Sequence, residues 1–287
     1  MQSPSDLQFI TDPAAASEWS AQQRRQRSTI GFVPTMGALH AGHMSLIAKA
    51  KSEHRAVACS VFVNPLQFNN PDDLARYPRQ PEEDRKLALD AGCDMFFAPQ
   101  EQRIYAGHGA RHYELDGLDT VLEGAARPGH FQGVVNVVER LFHYVRPDAA
   151  YFGEKDRQQL AVLQHVASAL RWPEAVVGCA TVRDPDGLAL SSRNLRLSPE
   201  ERKQATILFK ALSLLAGNAF SASVAEARAA GLAALAQQPA VRLDHLEIVD
   251  IASMRPITEW EQRTEALAVI AAHVGPVRLI DNITLRR

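Results

Sequence analysis

Through the first two thirds of the sequence, short apolar runs rich in β-branched and aromatic residues alternate with longer segments of helical periodicity. Strands that alternate with helices indicate βαβ units, and therefore a parallel sheet. We predict an α/β fold built on a doubly wound parallel sheet. The five predicted strands are residues 29–33, 56–63, 94–98, 149–152 and 175–182.

Two of the segments between or after these strands carry a clear helical pattern. In segment 130–145, apolar residues recur at steps of three and four, as a helix lying on a sheet requires. They are Val134, Val135, Val138, Leu141, Phe142 and Val145. Segment 156–170 repeats the pattern, so both segments are predicted to be helices.

The composition of the chain changes after Asn194. Two Ala- and Leu-rich helical stretches, 199–216 and 224–237, precede three strand-like runs at 243–251, 266–272 and 277–280. We therefore predict a first domain of residues 1–184 and a smaller α+β C-terminal domain of residues 185–287. The turn-forming sequences DPDG and SSRN indicate a boundary between residues 182 and 196.

Overall composition excludes several classes of protein. The 287-residue chain has 31 Lys and Arg residues and 33 Asp and Glu residues, which gives a formal net charge of −2 and no reason to expect a nucleic-acid or membrane surface. Cys59, Cys93 and Cys179 are odd in number and lack a C-x-x-C pair, so we expect reduced thiols rather than disulfides or a zinc site. No stretch resembles a signal peptide or a membrane span of about 20 apolar residues. We expect a cytoplasmic protein.

The most informative motif is GFVPTMGALHAGHMSL, which predicts a strand that turns into a helix beginning near Gly42. Such a turn directs backbone N–H groups and the positive end of the helix at an anion. His40 and His43 lie on the first helical turn, where both rings can reach one phosphate chain. H-x-G-H spacing alone is also compatible with an incidental turn. After a strand and PTMG, it resembles the nucleotidylyltransferase superfamily and class I aminoacyl-tRNA synthetases, which implies attack on the α-phosphate of a nucleotide with pyrophosphate leaving.

Two further motifs follow predicted strands, at the carboxyl ends where doubly wound sheets bind ligands. VFVNPLQF supplies the neutral amides of Asn64 and Gln67, although a single Gln after a strand can also stabilise a loop. YFGEKDRQQL supplies Lys155, whose charge suits an α-phosphate that is losing pyrophosphate. Gln159 lies one helical turn later, so we expect it to face the same cleft as Gln67 and to hold a small polar acid with it.

Other residues near these motifs have alternative structural roles. Gly153 permits close approach of a nucleotide, whereas Asp156 is equally well placed to cap the following helix. In VRDPDGLALSSRN, the residues Ser191, Ser192 and Arg193 suit the β- and γ-phosphates. SSRN is also a common turn or helix-capping sequence. The four motifs together are far more specific than any one of them.

In identity and order, these motifs resemble the pantothenate synthetase family. The resemblance rests on PTMGALHAGH, FVNPLQF, YPR, GHFQGVVNVV, FGEKDRQQL and DGLALSSRN, and continues through HLEIVD and VRLIDN near the carboxyl terminus. It implies a Rossmann-like first domain and a ligase that condenses (R)-pantoate with β-alanine. Pantoate attacks ATP to give pantoyl adenylate and pyrophosphate, and β-alanine then displaces AMP. It also implies Mg²⁺, ATP as a co-substrate and a homodimer.

The resemblance assigns a role to each motif residue. His43 is implied as a proton donor, His40 and Lys155 as groups that stabilise the triphosphate, and Gln67 and Gln159 as the pantoate site, with Gln67 also near β-alanine. The implied ATP-binding residues are Met36, Gly37, Ala38, Leu39, His40, Ala41, Gly42, His43, Gly153, Glu154, Lys155, Asp156, Val182, Leu190, Ser191, Ser192 and Arg193.

The chain departs from the family pattern at two positions. Ala41 stands where an acidic residue is usual, and Arg157 stands where an aromatic residue is common, on a helical turn predicted to contact solvent. The acidic residues 82–84 after Pro81 indicate a helix start rather than a metal site, and we assign no magnesium ligand. His130 is interpreted as a cap-region or core histidine.

Three other functions remain compatible with parts of the pattern. A nucleotidylyltransferase with a phosphorylated acceptor would need extra Lys or Arg where this chain has Gln67 and Gln159. A class I tRNA synthetase fragment would need a KMSKS-type loop and a basic surface, and both are missing. A non-catalytic nucleotide sensor would not need intact His40, His43, Lys155 and Arg193.

Overall fold

The computed structural model describes residues 7–287, which form two separate β-sheets with helices packed against them. Residues 1–6 lie outside the described residues. They begin the predicted first domain and the amino-terminal stretch that does not resemble a signal peptide. The first sheet region comprises β1 (Gln8–Ile10), α1 (Pro13–Arg25), β2 (Ile30–Thr35), α2 (Ala41–Glu53), β3 (Ala56–Val61), α3 (Pro71–Ala75), α4 (Pro81–Asp90), β4 (Met95–Phe97), α5 (Glu101–Ile104), α6 (Leu122–Ala126), α7 (His130–Val145), β5 (Ala149–Gly153), α8 (Arg157–Ala169) and β6 (Ala175–Cys179). The second comprises α9 (Pro199–Ala205), α10 (Ile207–Gly217), α11 (Val224–Leu235), β7 (Val241–Val249), β8 (Glu265–Val274) and β9 (Val277–Arg286).

The first sheet has six parallel strands in the order β1-β4-β3-β2-β5-β6. β2 and β3 are buried along almost their whole length, as expected for strands covered by helices on both faces. From β2 the chain proceeds to β3 and β4 on one side and then crosses to β5 on the other. Strand order therefore reverses between β2 and β5, and ligands of such sheets bind at this point.

The predicted α/β class is confirmed, and α7 has the predicted bounds. The edge strand β1 and helix α1 were not predicted, because a three-residue strand next to a mostly polar helix has little periodicity. The fifth predicted strand is shorter than expected: β6 ends at Cys179, level with Gly153, where its partner β5 ends. Cys59 and Cys93 are buried and Cys179 is half-buried, and all three are free thiols.

The second sheet is antiparallel, in the order β7-β8-β9, and α10 and α11 pack against it. This confirms the predicted α+β character of the carboxyl-terminal region. β9 continues six residues beyond its predicted end at residue 280, because the polar pair Asp281 and Asn282 is buried and hydrogen-bonded instead of forming a turn. Within residues 7–287, none of the helices has the length and apolar character to cross a membrane.

Candidate active site

A cleft with about 1200 Å³ of empty space, partly open to solvent, lies at the carboxyl ends of β2 and β5. It brings together His40, His43, Gln67, Lys155 and Gln159, which come from three separate segments of the chain. Its wall also includes Met36, Gly42, Gly153, Asp156, Val182, Leu190, Ser191, Ser192 and Arg193. The remaining predicted ATP-site residues, Gly37, Ala38, Leu39, Ala41 and Glu154, do not line the cleft, and their nucleotide contacts stay predictions.

Sequence reasoning missed the apolar part of this wall. Phe62, Tyr77, Val134, Val138 and Leu141 line the cleft beside the polar residues. The α7 pattern identified three of them as core residues, and they do belong to the core. Periodicity could not show that this core also forms one wall of the cleft.

The two histidines fix the start of α2 by capping it reciprocally. The Nδ1 atom of His40 accepts a hydrogen bond from the Gly42 N–H, and the Nδ1 atom of His43 accepts one from the His40 N–H, both at 3.2 Å. A capping box normally uses a hydroxyl and a carboxylate for these bonds. Because both Nδ1 atoms accept, each neutral ring carries its proton on Nε2. The two rings lie 4.0 Å apart between centroids.

Both histidines are neutral at physiological pH. Burial lowers the pKa of His40 to about 4, and the nearby Lys155 charge adds to this effect. Burial, with further contributions from His40 and Lys155, lowers the pKa of His43 to about 3. At pH 7 the pair therefore presents neutral Nε2–H donors and no imidazolium charge.

The loop before the histidines is held by Asp84, which the sequence indicated only as part of a helix start. This side chain is 1% exposed and accepts hydrogen bonds from the backbone N–H groups of Ala38 (3.0 Å) and Leu39 (2.7 Å). The loop needs such support, since Gly37 and Ala38 both have positive φ angles, +84° and +48°. Asp84 thus fixes a loop whose N–H donors lie 45 and 46 residues before it.

Gln67 is held from two sides. Asn64 is fully buried and donates to the Gln67 side-chain oxygen (3.2 Å), so the Gln67 amide stabilises its loop and also lines the cleft. The Gln67 carbonyl accepts from His130 Nδ1 (2.7 Å) and from Arg127 (3.2 Å). His130 is the buried first residue of α7, in agreement with its interpretation as a cap-region or core histidine, and it lies outside the main cleft. Its contact with Gln67 was not predicted.

Lys155 lies in a 3-10 helix, Glu154–Asp156, between β5 and α8. Its side chain is 15% exposed, with Nζ 3.9 Å from the Asp156 carboxylate. Asp156 occupies the predicted N-cap position of α8, but its side chain makes no capping hydrogen bond and lines the cleft instead. Arg157 does not simply face solvent either: it is half-buried and paired with Glu154 at 3.5 Å.

The second sheet holds the Lys155 segment in place. Asn282 of β9 donates to the backbone carbonyls of Glu154 and Lys155, both at 2.9 Å. The adjacent Asp281 is 4% exposed and accepts two bonds from Arg183, at 2.6 and 2.9 Å. The carboxyl-terminal region therefore contributes directly to the position of Lys155.

The SSRN segment closes one side of the cleft and also forms a helix cap, so the capping alternative is confirmed, whereas its binding of phosphates stays a prediction. Ser191 caps the 3-10 helix Ser192–Arg196 by accepting from the Arg193 N–H, and it also lines the cleft. Ser192 donates to the carbonyls of Gly37 and Ala38. Arg193 pairs with Asp73 at 2.9 Å and stacks on the ring of Tyr77.

Comparison with known proteins identifies the family. A family model described as Pantoate-beta-alanine ligase matches residues 8–284. The chain belongs to the pantoate-beta-alanine ligase family. The pantothenate synthetase of Rubrobacter xylanophilus is 45% identical over 293 residues, covering 99% of each chain. That of Thermus thermophilus is 49% identical over 261 residues, covering 90% of this chain and 93% of the relative.

Solved structures of this ligase family share the fold. A crystal structure of pantothenate synthetase from Thermus thermophilus matches with a TM-score of 0.89 at 45% identity, covering 96% of this chain and 99% of that one. A pantoate-beta-alanine ligase from Francisella tularensis, complexed with beta-gamma ATP and beta-alanine, matches with a TM-score of 0.79 at 33% identity, covering 96% and 97%. The resemblance, the Rossmann-like fold and the ligase class expected from the sequence are therefore confirmed.

No residues in the described part of this ligase form an evident metal centre. Within residues 7–287 there is no group of three or more His, Cys, Asp or Glu side chains placed to hold a metal ion. The acidic residues Glu82 and Glu83 lie exposed on the first turn of α4, as the sequence predicted. The structure thus leaves the magnesium ligands unassigned.

Proposed function

We propose that this chain condenses (R)-pantoate with β-alanine at the expense of ATP, through a pantoyl adenylate, to give pantothenate, AMP and pyrophosphate. One observation carries the proposal: a single cleft at the strand-order reversal of the sheet holds two neutral histidines, one lysine and two uncharged amides. Family membership supports the overall reaction. The Francisella tularensis ligase, complexed with an ATP compound and beta-alanine, supports the nature of two of the substrates.

In the first step, a pantoate carboxylate oxygen forms a bond to the α-phosphorus of ATP while the bond to the pyrophosphate oxygen breaks. His40 and His43 direct neutral Nε2–H donors at the triphosphate, and Lys155 supplies the positive charge. Preorganised donors of this kind stabilise charge that develops in the transition state. His43 acts here as a hydrogen-bond donor, because its pKa of about 3 leaves it no second proton at pH 7.

Gln67 and Gln159 hold pantoate with neutral amides, which orient a nucleophilic carboxylate without pairing its charge. In the second step, the β-alanine amine forms a bond to the pantoyl carbonyl carbon, the bond to the AMP oxygen breaks, and the amine loses a proton. Gln67 contacts the amine substrate as well as pantoate. The predicted ATP-binding set given above completes the nucleotide site.

Mg²⁺ is proposed to enter with the phosphates of ATP, where it offsets the charge of the departing pyrophosphate. Because the described residues include no acidic metal cluster, we assign it no protein ligand.

We also propose a domain boundary between residues 184 and 185, a homodimer and a cytoplasmic location. Light scattering of the purified protein tests the dimer.

The proposed reaction is tested by release of AMP and pyrophosphate from ATP and Mg²⁺, with (R)-pantoate, β-alanine, both or neither. We expect AMP release only when both are present. We also expect pantoate alone to support exchange of labelled pyrophosphate into ATP. Turnover with a phosphorylated acceptor instead of pantoate, or ATP binding without any turnover, would contradict the proposal.

A further inference from the structure

A second cavity, lined by residues of both sheet regions, adjoins the active-site cleft and shares Lys155, Asp156, Ser191 and Arg193 with it. Arginines are frequent in its wall, and most are paired with carboxylates. Arg193 and Arg196 both pair with Asp73, at 2.9 and 2.6 Å. Arg278 pairs with Glu123 at 2.6 Å and with Asp244 at 2.8 Å.

Arg127 is the exception among the half-buried arginines of this wall. Within residues 7–287, no carboxylate oxygen lies within 4.0 Å of its guanidinium. Burial and the nearby positive charge of Arg193 lower the pKa of Arg127 to about 10, so it remains a cation at pH 7. The more distant charges of Glu123 and Asp156 raise this pKa but do not outweigh burial. A half-buried cation without a carboxylate in direct contact is costly, and this cost falls when a ligand supplies the anion.

The contacts of Arg127 leave most of its hydrogen-bonding capacity unused. One N–H donates to Nε2 of His130 (3.1 Å) and another to the carbonyl of Gln67 (3.2 Å). A guanidinium has five N–H donors, so three have no partner among the described residues. These contacts place Arg127 against the backbone of Gln67, whose side chain faces the proposed pantoate site.

We propose that Arg127 binds the carboxylate of the amine substrate and thereby selects amines that carry one. This inference rests on the proposed function, in which the amine must reach the adenylate near Gln67. Pantoate and ATP already have partners in the main cleft, whereas the β-alanine carboxylate has none there. The cavity that Arg127 lines adjoins that cleft at Lys155 and Asp156, so an amine can enter through it and present its amino group to the acyl carbon.

The test compares β-alanine with 3-aminopropanamide, which replaces the carboxylate by a neutral amide. For the wild type we expect kcat/KM to favour β-alanine by about 10- to 100-fold, as for a charge-assisted pair. Arg127→Ala should lower kcat/KM for β-alanine by a similar factor and leave that for the amide within about threefold, so the two changes are not additive. Arg127→Lys should retain part of the preference, because it keeps the charge but loses the planar donor pair.

Two controls separate this inference from other roles. Exchange of labelled pyrophosphate into ATP with pantoate alone should be unchanged in Arg127→Ala. Because this exchange does not involve the amine, it tests the proposed adenylation separately from the role of Arg127. Arg76→Ala, which alters an exposed arginine of the same cavity, should leave kcat/KM unchanged for both amines. The inference fails if the wild type shows no preference for β-alanine, or if Arg127→Ala weakens both amines equally through Gln67. It also fails if the KM for pyrophosphate in the exchange rises, since the bound anion would then be pyrophosphate.

Discussion

The histidines and the lysine face the same cleft, but the chain holds them by different means. His40 and His43 are fixed by hydrogen bonds to backbone groups two or three residues away, at the start of their own helix. The Lys155 segment has no side-chain cap, and its carbonyls are held by Asn282 from the other sheet. The histidine side is therefore locally determined, whereas the lysine side depends on docking of the carboxyl-terminal region.

The largest effect expected on either side is that of Lys155→Ala. It removes the only lysine among the described residues of the cleft wall, and loss of a preorganised transition-state contact costs about 10²- to 10³-fold in rate. We expect pantoate-dependent pyrophosphate exchange to fall by this factor, with the thermal midpoint unchanged. Lys49→Ala, in the exposed ion pair with Glu53, serves as the control. Retention of exchange would remove Lys155 from the α-phosphate chemistry.

On the histidine side, substitutions of His43 separate capping from chemistry. Gln is a normal capping-box residue at this position, so His43→Gln should keep the helix start, whereas His43→Ala should destabilise the protein by about 1 kcal/mol. Both lose the ring donor, and we expect kcat to fall by about 10- to 100-fold in each. Denaturant unfolding and steady-state kinetics measure the two effects. Equal stability of the two variants would show that the reciprocal cap contributes little.

The pH dependence follows from the lowered histidine pKa values. Because the folded pKa is about 4 for His40 and about 3 for His43, exchange should show no titration near pH 6.5 from either ring. The unfolded chain takes up these protons near pH 6.5, before the folded protein does. The stability that the two neutral histidines contribute is therefore fully present above pH 6.5 and is lost as the pH falls towards 3. A rate that declines as pH rises through 6.5 would instead indicate that His43 works as a charged acid.

On the lysine side, Asn282→Ala removes both donors to the carbonyls of Glu154 and Lys155. Small displacements of a charged group reduce catalysis, so we expect kcat to fall by about 10-fold. Asn282→Asp should be at least as harmful, because a carboxylate would face two carbonyl oxygens. Asn218→Ala, which removes a similar bond to the Leu214 carbonyl on α10, is the matched control. Full activity in both Asn282 variants would show that the lysine side is as self-contained as the histidine side.

This contrast also explains what could be predicted from the sequence. The histidine turn was predictable, because caps and turns are set by neighbouring residues, and the parallel sheet followed from the alternation of strands and helices. Asp84 and Asn282 were not, because their partners lie 45 or more residues away in the chain. PEED resembled an ordinary helix start, and IDN resembled the end of a strand. Arg127 gave no signal, since only the fold reveals that it lacks a carboxylate partner.

The smallest expected effect sharpens the comparison on its locally determined side. Asp84→Asn keeps one side-chain oxygen, which can accept from the N–H group of Ala38 or of Leu39, but places an NH₂ group against the second of these N–H groups. That backbone N–H loses its acceptor. An unsatisfied buried donor costs about 1 to 3 kcal/mol of stability, which should appear in denaturant unfolding. Because His40 and His43 keep their own caps, we expect kcat to stay within about twofold while the KM for ATP rises about threefold.

The exposed neighbour Glu83, changed to Gln on the same helical turn, controls for charge and should alter neither quantity. If Asp84→Asn lowers kcat as strongly as Asn282→Ala does, the histidine side also depends on distant support. Both sides of the cleft would then be determined by tertiary packing, and the reciprocal histidine cap would follow from the position of the loop instead of setting it.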